Sequence, residues 1–405
     1  MYSKLAWRNI WRNKRRTWIT ISAIGFAVFF ATVLKSTQIG SYDRMIDNVA
    51  RFFTGYAQVH ASGYWEEKSL DYTFEHNESD LKTIENMEGV SLATPRLESF
   101  ALASFGIQTK GTMVMGIDIE KEDQLTQIRS KLVEGSYLNA DDEGILIAKG
   151  LAEFLKVSVG DTLVLISSGY HGANAAGKYA VKGILKFPVP DQNNGVIYMT
   201  LASAQYLYAA ENRLTSYALL VNNDQDTENI VASLKSGLNS DNYEVMSWRE
   251  MLPEIIQQIE LDYVSGWIMR LVLYIIIGFG IFGTFLMMVN ERRYEFGIMM
   301  AIGMKRLKLQ IIVFMETILI SIVGILTGTL FSLPMLIYFY LNPIYFTGDY
   351  AEMMESYGME PILPFSLDSS VFTGQAVLVL ILTMLLAIYP LFAIQKLKIN
   401  SAMRS

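Results

Sequence analysis

Four stretches of this chain are long and apolar enough to cross a lipid bilayer. Thr17–Leu34 (TWITISAIGFAVFFATVL) and Leu271–Asn290 (LVLYIIIGFGIFGTFLMMVN) carry no charged side chain. Leu309–Tyr340 carries only Glu316, and Ser369–Gln395 is again charge-free. About 20 residues of helix span a hydrocarbon core. A buried helix of a water-soluble protein can be as apolar, but four such runs in one chain form a membrane pattern. Composition agrees: the AVILMFWYC set makes up 51% of the 405 residues and charged residues only 18%, against about 25% in a soluble chain. There is no cysteine, which excludes disulfides, thiolate metal sites and cysteine nucleophiles. The formal net charge of −7 argues against a nucleic-acid binder.

The flanks orient the spans. Lys4, Arg8, Arg12, Lys14, Arg15 and Arg16 precede the first, with no acid among them. Arg292, Arg293, Lys305, Arg306 and Lys308 lie between the second and third, and Lys396, Lys398 and Arg404 follow the fourth. The 341–370 connection has Asp349, Glu352, Glu355, Glu360 and Asp368 and no Lys or Arg. The positive-inside rule then puts both termini and the 291–308 loop in the cytoplasm. The expected order is a cytoplasmic helix (1–17), a span (18–40), an extracytoplasmic domain (41–263) and a second span (264–290). A cytoplasmic loop (291–308), a third span (309–340), an outer loop (341–370), a fourth span (371–395) and a cytoplasmic tail (396–405) complete it. The apolar run after the basic tail exceeds a signal-peptide h-region and lacks a small-x-small cleavage site, so it reads as an uncleaved anchor. In helix, the tail puts Trp7, Trp11 and Trp18 on one face and Arg8, Arg12, Arg15 and Arg16 on another. That suits a helix in the headgroup layer, or simply a basic topological flank.

Residues 41–262 hold 17 Lys and Arg against 32 Asp and Glu, a local balance of −15. Short β-like runs (YAQVHAS, TMVMGID, GILIA, DTLVLIS, YAVKGIL, GVIYMT, SYALLV) alternate with helical patches (DLKTIENME, LASAQYLYAAEN, QDTENIVASLKSGL). This predicts an α+β domain, in two lobes.

Few motifs carry chemistry. Gly172-Ala-Asn-Ala-Ala-Gly177-Lys178 approaches a P-loop, but Tyr179 stands where Ser or Thr must bind Mg²⁺, and a strand-like run follows in place of a helix. The segment reads as a hairpin tip. His60, His76 and His171 are scattered without metal-ligand spacing, and the chain has neither a Gly-x-Ser-x-Gly elbow nor a His-Glu-x-x-His pair. The 291–308 loop interleaves Glu291, Arg292, Arg293 and Glu295 with Phe296, Ile298, Met299, Met300 and Ile302. Such a short amphipathic helix is either a connector or a docking element for a cytosolic partner. Glu316 lies about two turns beyond Lys308, close enough to the cytoplasmic face for an ion pair with Arg292, Arg293 or Arg306. No second intramembrane acid accompanies it, which disfavours a proton relay.

The run ERRYEFGIMMAIGM, with the opening LAWRNIWRNKRRTWITI, the closing Tyr389-Pro390…KLKINSAMRS and the glycines Gly324 and Gly328, resembles the FtsX/MacB-type permeases of ABC transporters. The family arrangement of one span, a large outer domain and three spans (type VII) covers the whole chain. GYAQVHASGYWEEKSLD, PRLESFALAS…TKGTMVMGIDIEKE and YAVKGIL…VPDQNNGVIYMTLASAQYL are similar to the lipoprotein-releasing LolC/LolE branch.

The resemblance implies a permease without catalytic residues, metal or cofactor of its own. It would pair with a second permease chain, identical or LolE-like, in the bacterial inner membrane, with the large domain in the periplasm. ATP and Mg²⁺ would be bound by a separate cytosolic ATPase dimer. Glu291, Arg292, Arg293, Glu295, Phe296, Gly297, Met299 and Gly303 would form the coupling helix seated in that ATPase. Mechanotransmission would extract lipoproteins from the outer leaflet of that membrane. Their acyl chains would enter a cavity lined by Phe26, Phe29, Phe30, Val33, Met269, Leu273 and Ile276. A hairpin at Ser167–Lys178, with Tyr170, His171 and Asn174, would recruit a periplasmic lipoprotein carrier. The other readings are a MacB-like permease driving tripartite efflux of toxins or peptides, and an FtsX-like regulator of cell-wall hydrolases. Nucleic acid has no place in any of them, whereas membrane lipid is a partner in all.

Overall fold

A computed structural model describes residues 2–12, 14–238, 242–356 and 360–397. The chain divides into a helical unit and an α+β unit, the latter built from Arg44–Gln258 with Phe346–Pro361.

The helical unit holds an N-terminal helix, Tyr2–Arg12, and four long helices: Lys14–Ile46, Pro253–Glu291, Arg306–Leu341 and Ser369–Lys396. Each of the four is long and apolar enough to cross a membrane, and helix is the form in which one segment satisfies its own backbone in lipid. The second begins well before its apolar run: Pro253 and Glu254 start a helix favourably, and no further proline or glycine interrupts it before Gly266. The first and third spans cross where side chains are missing. A Cβ on Gly324 would lie 2.7 Å from Ile24 Cβ, and one on Gly328 would lie 2.6 Å from the Gly25 carbonyl oxygen. This close approach is the small-residue packing that replaces a hydrophobic driving force in lipid. Around it Ile21, Val28, Ile281, Phe285, Met288 and Ile320 form the bundle core. The N-terminal helix packs on the third span and buries Ala6 and Ile10, leaving Trp7 and Trp11 exposed, as is Trp18 on the first-span helix. Their rings stand edge to face, 5.9 Å and 6.3 Å apart in sequence order.

The α+β unit contains β1 (Ala57–Ala61), β2 (Phe74–Glu75), β3 (Val90–Phe105), β4 (Gln108–Ile117), β5 (Leu132–Gly135) and β6 (Ile145–Ala148). It continues with β7 (Thr162–Ser168), β8 (Asn174–Leu185), β9 (Val196–Thr200), β10 (Arg213–Leu214), β11 (Ser216–Val221) and β12 (Tyr243–Ser247). β3 belongs to two assemblies. Its first half pairs with β11 in an open antiparallel sheet ordered β12-β1-β11-β3. Its second half enters a closed ring, β3-β4-β9-β6-β8-β7, in which β7 returns to pair with β3 at Leu102–Ser104. Ring closure removes the exposed strand edges. Ala101, Ala103, Leu163, Leu165 and Ile197 lie in the core of this lobe, and Val59, Tyr217, Leu219, Leu234 and Trp248 in that of the open sheet.

Arg96 sits at the branch, in register with both Ser216 and Ile117. Its guanidinium is fully buried and grips Glu122 through two bonds of 2.9 Å and 2.6 Å, while Nη1 donates to the Phe53 carbonyl at 2.5 Å. The bidentate geometry and the backbone acceptor compensate an ion pair that would otherwise be costly to desolvate.

Candidate functional site

The second-span helix ends at Glu291, and Arg292 leaves helical geometry (φ −97°, ψ 4°) to start a separate helix, Arg293–Ala301. Gly303, at φ +100°, and the extended Lys305 then turn the chain into the third span. The short helix buries Phe296 and Met300 against Leu309, Val313, Ile394 and Leu397. Arg306 ties the adjoining ends together by donating to the Gln395 and Leu397 carbonyls at 2.5 Å and 3.0 Å.

A chain of alternating charges runs through this corner. Arg12 donates to Glu295, and Arg292 Nε reaches the same carboxylate at 3.3 Å. Arg292 Nη1 then bonds Glu316 Oε2 at 2.5 Å, and its guanidinium lies over the Phe296 ring at 5.2 Å. The Arg292 and Glu316 side chains are 6% and 0% exposed. A carboxylate alone at that depth would cost several kcal/mol, and the guanidinium supplies the missing counter-charge. Of the three arginines named from sequence as partners for Glu316, the fold brings Arg292 to it. The anchors therefore sit on the N-terminal helix, the short helix and the third span.

Of the residues assigned to coupling, Arg292, Phe296 and Gly297 are buried, Glu295 and Met299 half-buried, and Glu291, Arg293 and Gly303 exposed. The outward face of this corner is formed by Glu291, Arg293, Tyr294, Ile298 and Ile302, the last of these 81% exposed. Tyr294, Ile298 and Ile302 stand outside the set expected from sequence, where apolar residues in a helix read as its inward face.

The residues expected to line the acyl cavity divide similarly. Phe26, Phe30, Met269 and Ile276 are exposed on the first and second spans, whereas Phe29, Val33 and Leu273 are half-buried. Phe26 stacks on Phe30 at 6.3 Å, and Phe29 meets the same ring edge to face at 5.3 Å.

The Ser167–Lys178 segment departs from its reading as a hairpin tip. The turn is confined to residues 169–173, and Asn174–Lys178 is ladder, paired residue by residue with β7 from Ser168 to Val164. Small residues leave its backbone free to pair, and no helix follows Lys178. The turn also lies against its own domain. Tyr170 N donates to the Tyr208 carbonyl at 2.8 Å, its ring packs under Arg213 at 4.3 Å, and His171 N donates to Asp71 at 3.0 Å. His171 and Asn174 remain exposed.

Residues 17–237 match the MacB-like periplasmic core domain and residues 267–399 the FtsX-like permease C-terminal family. The chain is 23% identical over 251 residues to the lipoprotein-releasing system transmembrane protein LolC of Xylella fastidiosa, covering 60% of this chain and 59% of that protein. It is 20% identical over 289 residues to the LolE protein of Haemophilus influenzae, covering 70% and 68%. The match thus spans 59% of the LolC relative's length. Among solved structures, the periplasmic region of MacB from Actinobacillus actinomycetemcomitans aligns with a TM-score of 0.35 at 15% identity, over 53% of this chain and 98% of that one. The extracellular domain of the noncanonic ABC-type transporter YknZ from Gram-positive bacteria aligns at 0.33 and 14%, over 47% and 98%. With the core-domain match running over more than half its length and the permease match over its last three spans, the chain belongs to the FtsX/MacB-type permeases of ABC transporters.

Proposed function

We propose that the chain is a permease subunit that turns the ATP cycle of a separate cytosolic ATPase dimer into movement of its periplasmic-type domain, and so extracts lipoproteins from the outer leaflet of the inner membrane. The observation that carries this is the short helix between the second and third spans. It offers Glu291, Arg293, Tyr294, Ile298 and Ile302 outward while its inner face is locked by Arg292, Phe296 and Glu316. A force applied there reaches the third span through an ion pair and the N-terminal helix through Arg12, without first bending a flexible loop. ATP and Mg²⁺ belong to the ATPase, and a second permease chain completes the assembly.

The likeness to LolC and LolE supports lipoprotein as cargo. Acyl chains leaving the bilayer lose about 0.8 kcal/mol per CH₂, and the exposed Phe26, Phe30, Met269 and Ile276 would offset that loss in transit. His171 and Asn174 are the outward groups through which a carrier would be recruited. The core-domain match favours a second reading, tripartite efflux in the manner of MacB. Mass spectrometry of what co-purifies with the tagged chain in mild detergent separates the two. A P-loop ATPase with acylated lipoproteins is the expected result. An ATPase with a periplasmic adaptor and no lipoprotein moves the function to efflux, and absence of any ATPase overturns the transporter reading.

A further inference from the structure

Lys35 immediately follows the charge-free run of the first span, and Arg270 immediately precedes that of the second. Both therefore mark the end of the membrane opposite the basic 291–308 loop, where the positive-inside bias disfavours cations. The connection between the third and fourth spans, at the same end, has none. Arg270 is only 7% exposed. It donates to Gln38 Oε1, and among the described residues it makes no ion pair. Asp262, which shares Gln38 with Arg270, is already engaged: Tyr42 OH donates to Asp262 Oδ2 at 2.7 Å, and Gln38 Nε2 donates to the Asp262 carbonyl at 3.2 Å. A guanidinium has five donors, and among the described residues one is used here. The Lys35 ammonium lies over the Tyr263 ring at 5.1 Å and within Coulombic range of Arg270. Two like charges repel more strongly as the dielectric falls, and an anion between them reverses the sign of the interaction.

We infer that Lys35 and Arg270 form a site for the phosphate of a diacyl phospholipid, whose chains lie on the exposed apolar face of Phe30, Leu34, Met269 and Val272. A planar fork beside a point ammonium suits a tetrahedral anion with several acceptor oxygens. Phosphate is the anion that a bilayer presents at this depth, and the greasy side chains continue from the cations into the hydrocarbon. A neutral lipid such as diacylglycerol gives neither cation a partner. The site rests on the sidedness proposed above; its apolar face shares Phe30 and Met269 with the path proposed for acyl chains, whereas its cations do not belong to that path.

Native mass spectrometry of the purified chain in detergent, titrated with phosphatidylglycerol and separately with diacylglycerol, tests it. Wild type should bind phosphatidylglycerol about ten-fold more tightly than the Lys35→Gln/Arg270→Gln variant, as expected for lost charge-assisted bonds. Diacylglycerol should bind both proteins weakly and equally. Lys35→Gln alone leaves the Arg270–Gln38 bond in place and should still weaken phosphatidylglycerol several-fold, so a misfolded double variant does not remove the test. Unchanged phosphatidylglycerol binding in Lys35→Gln, or equal binding of the two lipids by wild type, overturns the inference. So does displacement of the lipid by millimolar inorganic phosphate, which would make this a site for a soluble anion. None of these outcomes depends on whether lipoproteins or an ATPase co-purify.

Discussion

Arg292 and Glu316 are each buried because the other is there. Removing one partner strands a charge, which costs about 3–5 kcal/mol in buried pairs. Arg292→Ala or Glu316→Ala should lower the thermal midpoint of the purified chain sharply, whereas Arg292→Met with Glu316→Leu should recover most of it. A single variant with an unchanged midpoint would show that the pair does not hold the fold. His60 is the corresponding case in the α+β unit: it is fully buried, with Nε2 2.6 Å from Gln58 Oε1. Burial first, and the Lys68 charge second, push its imidazole down to about 3. The unfolded chain takes up this proton below about pH 6.5 and the fold does not, so the stability His60 contributes is full above that pH and is lost as pH falls toward 3. The loss reaches about 3 kcal/mol at pH 4. Thermal midpoints between pH 4 and 7 should fall less steeply in His60→Gln than in wild type; parallel curves would remove His60 from the account.

The contact between the first and third spans depends on missing atoms. Gly328→Leu must push the Gly25 backbone and Val28 away, at a cost of about 1–3 kcal/mol for overpacking. A Cβ on Gly280 would meet nothing within 4 Å, so Gly280→Ala should leave the midpoint unchanged, and similar losses at both glycines would argue against a tight crossing. The short helix after the second span makes the complementary prediction, because the face proposed for docking lies on its outside. Arg293→Glu with Ile302→Asp alters exposed residues alone, so it should spare the fold and abolish co-purification of the ATPase. Retention of the ATPase by a well-folded variant would move the docking surface elsewhere.

At the scale of the whole molecule, sidedness is the property on which the proposed function turns. The chain has no cysteine, so a single introduced thiol reports cleanly. Ile107→Cys, at the fully exposed tip of the β3–β4 hairpin, should react with an impermeant maleimide in intact spheroplasts. Ile302→Cys should react only after permeabilisation, and the opposite pattern would invert the topology. The sequence made the spans readable because lipid imposes a local rule: a run must be long, helical and nearly free of charge. It was less informative about β3, since Pro95, Arg96 and Glu98 interrupt the alternation that marks a strand.

By itself, the sequence determined four spans, a mixed α+β domain between the first two, and a charge pattern with one preferred orientation. Each follows from residues adjacent in the chain and from the solvent they meet. The tertiary structure decided which arginine meets Glu316, that Phe296 turns inward, that β7 closes a ring by returning to β3, and that Arg270 reaches Gln38 while Asp262 is held by Tyr42. Those outcomes depend on groups far apart in sequence competing for the same partner in a low-dielectric interior, where a single short contact outweighs any local propensity.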